Sequence, residues 1–244
     1  MKILTRPKCM KKVRFHYCPG CHHGLVHKII GEAIDYFNIR EKVVGIAPVG
    51  CSVLLYDYFD FDVIEVAHGR APAVATGIKR ANPNLIVFCY QGDGDLASIG
   101  IAEAIHAAAR GENITVIMIN NANYGMTGGQ MSPTTLINQK TATTPFGRKT
   151  EYEGFPLKVT ELLSTIDGVC LSVRVAVNNP KNFKKAKKAI FKAFENQLNS
   201  KGFSFVEVLS ACPVNWRMTP IEACKWIDKV MIKTFPLGIL KGDI

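Results

Sequence analysis

The stretch from Leu85 to Asn121 constrains this chain most. Leu85-Ile86-Val87-Phe88-Cys89-Tyr90 is an apolar run of β character that breaks at Gly92-Asp93-Gly94-Asp95. A segment with helical spacing follows, about Ala97 to Arg110, and a second apolar run, Thr115 to Ile119, breaks at Asn120-Asn121. Two strands joined by one crossover helix form a βαβ unit, which is parallel and right-handed almost without exception. Asp93 and Asn121 are therefore expected at one edge of the sheet, a carboxylate and an amide oxygen beside glycine backbone. That combination suits a hard cation carrying a diphosphate. Taken alone, GDGD reads equally well as a tight turn in which glycine supplies positive φ and aspartate caps the next helix. The Asn120-Asn121 pair tips the balance, because Mg²⁺ on a diphosphate needs a second protein oxygen from a neighbouring strand.

The rest of the chain repeats the same alternation. A helix is expected over His23 to Phe37, with Leu25, Val26, Ile29, Ile30, Ala33, Ile34 and Phe37 on one stripe. A β-run, Val43 to Ala47, ends in Pro48-Val49-Gly50-Cys51-Ser52; another, Val63 to Ala67, ends in His68-Gly69-Arg70 and a helix that Asn82-Pro83 stops. From Ala122 to about Pro156 the chain is polar, glycine-rich and largely aperiodic, the composition of a lid or partner-contact loop. A short helix, Lys158 to Thr165, precedes a β-run from Val169 to Val177, a helix from Pro180 to Leu198 and a final strand, Phe203 to Leu209, which leads into Ser210-Ala211-Cys212-Pro213. This order predicts an α/β fold, a mostly parallel sheet with helices on both faces. Residues 1–17 read as a basic arm, 18–212 as one binding domain, and 213–244 as a tail with Trp216 and Trp226 that serves as a subunit contact. Ligands of such sheets bind beyond the carboxyl ends of the strands, where Cys51, His68, Asp93 and Asn121 all fall.

The formal charge of +10 admits nucleic acid, a membrane surface, an acidic protein or a merely solvated surface. Much of the excess sits at Lys181, Lys184, Lys185, Lys187, Lys188 and Lys192, opposite Phe183, Ala186, Ile190, Phe194 and Leu198. No aromatics interleave these lysines as a base-stacking platform would need, so the face is either solvated or a dock for an acidic electron carrier. No apolar stretch is long enough to cross a bilayer, and Met1 to Pro7 lacks the apolar segment of a signal peptide, so a cytoplasmic location is expected. There, eight cysteines are metal ligands or plain buried residues rather than disulfides. Cys18, Cys21, Cys51 and Cys212 each adjoin glycine or proline in a loop; four such thiolates suffice for a cubane cluster or, equally, for a tetrahedral zinc site. Cys9, Cys89, Cys170 and Cys224 read as buried apolar residues.

The motifs CPGC, GCS, HGRAPAVATGIKRANP, YQGDGDLASIG, NNANYGMTGGQMSPTT and the late CP, spread over nearly the whole chain, resemble the β subunit of 2-oxoacid:ferredoxin oxidoreductases, most closely the branched-chain, 2-oxoisovalerate type. GDG followed by NN at this separation is the signature of thiamine diphosphate enzymes. The resemblance implies that Asp93 and Asn121 bind Mg²⁺ through their side chains and Asn123 through its carbonyl, and that the Gly94-Asp95 backbone faces the diphosphate. It puts a [4Fe-4S] cluster on Cys18, Cys21, Cys51 and Cys212. It brings Gly50, Ser52, His68, Gly69, Gly92, Tyr124, Gly125, Met126 and Thr127 to the cofactor, with Ser52 and His68 on its diphosphate and thiazolium side. The implied partners are an α subunit that completes the pyrimidine half of the site and supplies the activating glutamate, γ/δ-type subunits including a ferredoxin-like one, external ferredoxin, coenzyme A and the 2-oxoacid, with neither nucleic acid nor membrane. The chain alone is expected to be inactive.

Two departures keep other readings open. Relatives commonly have glycine after CPGC, whereas His22-His23 follow Cys21 here, so a histidine in place of one cysteine leaves zinc possible. Some relatives carry lysine where this chain has Gly128, which favours an uncharged, branched substrate over 2-oxoglutarate. Pyruvate is a further substrate alternative. The rivals of other classes are a non-redox thiamine-dependent lyase with a zinc site and a basic, zinc-containing nucleic-acid-binding module.

Overall fold

The computed structural model describes residues 5–244; the first four residues of the expected N-terminal arm lie outside the described residues. The parallel strands are β1 (Val43–Pro48), β2 (Asp62–Val66), β3 (Ile86–Gly92), β4 (Thr115–Asn120), β5 (Val169–Ala176) and β6 (Phe203–Leu209), and an antiparallel β7 (Gly238–Lys241) closes one edge on β5. Their order is β2-β1-β3-β4-β6-β5-β7. Every helix-linked pairing is parallel, as the alternation predicts. From β1 the chain steps outward to β2, and from β3 it steps the other way to β4. The switch point therefore lies between β1 and β3, and a crevice opens there beyond the strand ends.

Helices cover both faces because both faces are apolar. On one side α1 (His23–Phe37) and α7 (Pro180–Leu198) bury Val26, Ile29, Ile30, Ile34, Ala186, Ile190 and Phe194 against Phe88, Tyr90, Ile117, Val206 and Val208. On the other, α3 (Ala71–Ala81), α4 (Ile101–Ala109) and α6 (Val159–Ser164) press Ala75, Ala104, Ala107, Ala108 and Leu163 onto Val87, Cys89, Val116 and Met118. The alanines let the crossover helices approach the sheet closely. The helical interval between β1 and β2 is short, a 3₁₀ turn, Cys51–Leu54, that runs into α2 (Leu55–Tyr58). At the far end of α7, Leu198 is exposed rather than buried. Lys187 pairs with Glu32 and Lys192 with Glu195, so two of its six lysines are already partnered.

Three boundaries differ from expectation for identifiable reasons. Strand β3 continues two residues past Tyr90, because Gln91 and Gly92 stay in register with Met118 and Ile119 of β4. The crossover is not one helix from Ala97 to Arg110: a π-helical turn, Asp95–Ile99, ends at Gly100 before α4 begins. A Cβ on Gly100 would lie 2.8 Å from the Gly69 carbonyl oxygen, so two loops meet there at backbone distance, and Asp95 spends its carboxylate on Gly69 N–H instead of capping the helix. The segment after Cys212 is folded: α8 (Pro213–Trp216), α9 (Pro220–Trp226) with a Thr219/Glu222 capping box, a π turn and a three-residue helix lead into β7. Its Ala223, Ile227, Met231 and Phe235 share a small core with Ala122, Leu136, Leu209 and Ala211. In the N-terminal segment, Cys9 and Met10 are buried against α1 and the end of α2.

The long loop from Ala122 to Pro156 is tied down by one side chain. Arg148 is 3% exposed, and all five of its N–H donors end on carbonyl oxygens, those of Pro133, Thr135, Glu153, Gly154 and Phe155. It gathers both ends of the hydroxyl-rich segment and the short α5 (Thr150–Glu153) around itself.

Candidate active site

At the switch point a cavity is lined by Gly50, Cys51 and Ser52 after β1, His68 after β2, Gly92 to Asp95 after β3, and Asn121, Asn123, Tyr124, Gly125, Met126 and Thr127 after β4. The turns expected from sequence thus meet in one place. Gly92 has nothing within 4 Å of where a Cβ would stand, so the backbone is open to a ligand there, whereas Gly94 is required because a Cβ would drive into the Tyr124 ring. Gly69 is the exception among the expected contacts: it is absent from the lining, and its positive φ serves the close approach to Gly100.

Asp93 sits at the floor, 1% exposed. Its Oδ2 accepts from the hydroxyls of Ser132, at 2.8 Å, and of Thr134, while burial pushes its pKa up to about 6 against those donors and the Gly94 N–H. Oδ1 is left facing Asn121. The end of the Asn121 side-chain amide lies 3.1 Å from Asp93 Oδ1 and 2.7 Å from the Asn123 carbonyl oxygen, and its NH₂ can donate to both. With the amide turned the other way, three acceptors meet at one point and repel unless a cation sits between them. Oxygens held 2.0–2.1 Å from Mg²⁺ in octahedral geometry stand about 2.9 Å apart, which matches this spacing. The residues present fit such an ion.

A buried network sets that geometry. Asn120 accepts from Ala122 N–H at 3.1 Å and donates to Glu207 Oε1 at 2.7 Å. Glu207 is fully buried and also receives the Thr160 hydroxyl and Arg174 Nε. Ala122 is held left-handed, φ 56°, which costs on the order of 1 kcal/mol for a residue with a Cβ. Its carbonyl accepts from Thr135 Oγ1 at 2.7 Å, so the turn is fixed from both sides. That turn brings the Asn121 side chain and the Asn123 carbonyl to the same point.

The second turn is anchored similarly. Asp95 Oδ1 accepts from Gly69 N–H at 2.7 Å and Oδ2 from Gln91 Nε2 at 2.5 Å. His68 Nδ1 lies 2.5 Å from Asp95 Oδ1, a contact in which the ring nitrogen is not aligned for a hydrogen bond. His23, 2% exposed, also lines the cavity, with its Nδ1 2.6 Å from the Tyr90 hydroxyl and its ring stacked on Tyr17. Sequence reasoning considered His23 only as a metal ligand and passed over Ser132 and Thr134. The hydroxyls of Ser132-Pro133-Thr134-Thr135, clustered in an otherwise aperiodic loop, were the available signal.

Cys18, Cys21, Cys51 and Cys212 lie near enough to feel one another's charge, and Cys51 is on the cavity wall. Burial pushes Cys21 up to about 12 and Cys51 up to about 11, and in each case the charges of others in this set of four add to the rise; Cys212 is raised by burial and by Cys18. Among the described residues no three His, Cys, Asp or Glu side chains are close enough to hold one metal ion. Four cysteines that feel one another's charge are a donor set suited to a cluster or to zinc. The ring of His22 is engaged elsewhere: Nδ1 accepts from Ala211 N–H at 3.1 Å and Nε2 faces Cys224 at 3.5 Å. Cys224 is therefore a half-buried neighbour of this histidine rather than a plain core residue.

Comparison with known proteins follows this geometry closely. The family described as thiamine pyrophosphate enzyme, C-terminal TPP binding domain, matches residues 49–208. The chain is 51% identical over 222 residues, 91% of its length, to the ketoisovalerate oxidoreductase subunit VorA of Methanothermobacter thermautotrophicus, and covers 46% of that protein. It is 38% identical over 213 residues to the 2-oxoglutarate synthase subunit KorB of Archaeoglobus fulgidus, covering 87% of this chain and 75% of that one. The chain thus spans about half the length of the VorA relatives it matches. Its fold superposes, with a TM-score of 0.79 and 26% identity over 100% of this chain and 87% of the other, on a structure of 2-oxoglutarate:ferredoxin oxidoreductase from Magnetococcus marinus with 2-oxoglutarate, coenzyme A and succinyl-CoA bound. Among the described residues no helix is long and apolar enough to cross a membrane. With its GDGD and NN turns inside the matched domain, the chain belongs to the thiamine pyrophosphate enzymes as a subunit of the 2-oxoacid:ferredoxin oxidoreductase family.

Proposed function

We propose that this chain is the cofactor-binding β subunit of a 2-oxoacid:ferredoxin oxidoreductase that converts a branched-chain 2-oxoacid and coenzyme A to acyl-CoA and CO₂, passing two electrons to ferredoxin. The observation that carries the reading is that the end of the Asn121 side-chain amide lies 3.1 Å from Asp93 Oδ1 and 2.7 Å from the Asn123 carbonyl oxygen, beside the open backbone of Gly92. Asp93, Asn121 and Asn123 would hold Mg²⁺, and Cys18, Cys21, Cys51 and Cys212 a [4Fe-4S] cluster. Thiamine diphosphate, when bound, supplies the nucleophilic carbon that attacks the 2-oxoacid and the electron sink that loss of CO₂ requires.

The chain's own part is binding and orientation. Ser132 and Thr134 keep Oδ2 of Asp93 occupied, so that Oδ1 is the oxygen offered to the metal. Asp95 holds the Gly69 turn and His68 against the cavity, and Tyr124 closes over Gly94. Cys51 belongs both to the cavity wall and to the cysteine set, so one residue joins the site of decarboxylation to the site of electron acceptance. The preference for a branched chain is supported by the higher identity to the ketoisovalerate relative than to the 2-oxoglutarate one. The activating glutamate, the ferredoxin-like centre and part of the substrate pocket belong to an α subunit and to γ/δ-type subunits.

The test is ferredoxin reduction by the complex assembled from this chain and its partner subunits, surveyed over 2-oxoacids with and without coenzyme A. Coenzyme A dependent oxidation is expected with 2-oxoisovalerate ahead of pyruvate and 2-oxoglutarate, and none from the isolated chain. Turnover by the chain alone, or no oxidation of any 2-oxoacid by the complex, would refute the proposal.

A further inference from the structure

Two adjacent residues of α8 reach into both halves of the site. Asn215 donates its side-chain amide to the Gly125 carbonyl at 2.8 Å, on the cavity wall, and to Cys212 Sγ at 3.3 Å. Trp216 donates its indole N–H to the Asn121 carbonyl at 3.0 Å. The segment is short: Pro213 starts the helix and the left-handed Arg217, φ 53°, ends it, so the two side chains are set by a single rigid turn beginning at the cysteine itself. The fit around Asn215 is close, since a Cβ on Gly129 would stand 2.9 Å from its Cβ. The carbonyl of Gly125 takes one amide proton and thereby aims the other at sulfur. An asparagine that merely filled space would not need both.

We propose that Asn215 is a positioning residue that sets the reduction potential of the cluster by donating an N–H···S hydrogen bond to Cys212, held in place by the cofactor-cavity loop through Gly125. This rests on the reading that Cys212 is a cluster ligand. An N–H aimed at a thiolate stabilises the charge added on reduction, and hydrogen bonds to sulfur are among the determinants of cluster potential. Loss of the donor therefore makes the cluster harder to reduce, and a carboxylate in its place makes it harder still, because it adds charge next to the sulfur.

The experiment is a spectroscopic redox titration of the anaerobically purified complex in wild type, Asn215→Leu and Asn215→Asp, with iron content and Tm measured in parallel. Both variants are expected to retain the cluster and to show midpoints shifted to more negative potential, the aspartate further than the leucine. Unchanged midpoints in variants that keep their iron would overturn the proposal and reduce Asn215 to a structural role. A shift to more positive potential would overturn it as well. A wild-type complex with no iron beyond that of its ferredoxin-like subunit would instead refute the cluster reading on which it rests. If leucine prevents assembly, the smaller and uncharged Asn215→Ala removes the same donor and decides by the sign and presence of its shift.

Discussion

Replacing Arg148 by methionine tests whether one guanidinium organises the loop that serves the site. Its five N–H donors end on the carbonyls of Pro133, Thr135, Glu153, Gly154 and Phe155, so the change strands five acceptors at once. At about 0.5–1.5 kcal/mol net per hydrogen bond, the clamp is worth roughly 2.5–7.5 kcal/mol. Removing a buried cation returns several kcal/mol of desolvation cost, and the methionine chain refills part of the space. A net loss of about 3 kcal/mol is expected, confined to residues 133–157, which is roughly a hundredfold in the opening equilibrium. Hydrogen exchange reads this directly at Asn138 N–H, bonded to the Arg148 carbonyl, and at Leu157 N–H, bonded to the Pro133 carbonyl. Lysine at the same position keeps the charge but not the fork and should lose protection too. Because the loop delivers Ser132 and Thr134 to Asp93, thiamine diphosphate affinity should fall together with protection. Exchange within threefold of wild type at both amides would show that the loop is held by something else.

Other consequences follow from the buried network and from the ion-paired Glu112. Asn120→Ala removes the link from Glu207 to the Ala122 turn and should weaken Mg²⁺ by about 10–100-fold in a calorimetric titration at fixed thiamine diphosphate, as loss of a residue that orients a metal ligand does. Arg174→Met takes the guanidinium away from the buried Glu207, a loss of about 3–5 kcal/mol visible as a large fall in Tm. At Glu112 burial opposes ionisation, but the hydrogen-bonded Arg110 and Arg80 outweigh it and hold the carboxyl below its ordinary value of 4.5. A depressed carboxylate stabilises the fold above its unfolded pKa and loses that contribution as pH falls through the folded one. The Tm advantage of wild type over Glu112→Gln should therefore be full at pH 7 and vanish on acidification below 4.5; an advantage that grows in acid would contradict the sign.

The strand-helix alternation made the sheet legible before any coordinates, because a fully covered parallel sheet needs continuous apolar runs and their ends are marked by polar turns. That Asp93, Asn121 and Cys51 meet at one cavity was readable for the same reason: each lies just beyond the end of a run. Ser132, Thr134 and Arg148 were not, since their partners are 39 or 41 residues away at Asp93, or are carbonyls that any residue carries. Periodicity also missed the break at Gly100, where the close approach of Gly69 outweighs a good helical pattern. The segment after Cys212 looked like a tail because its helices are short, and its apolar residues make sense only against Ala122, Leu136 and Leu209.

We propose that a thiamine site and a four-cysteine redox centre share one sheet edge. Iron and acid-labile sulfide per chain, determined after anaerobic purification together with the absorption spectrum, test it most directly. The account predicts a brown protein with about four irons and four sulfides per chain beyond those of any ferredoxin-like partner, broad absorption near ~400 nm, and loss of both in Cys212→Ala. A colourless protein carrying zinc or no metal, with Cys18, Cys21, Cys51 and Cys212 all intact, would contradict it.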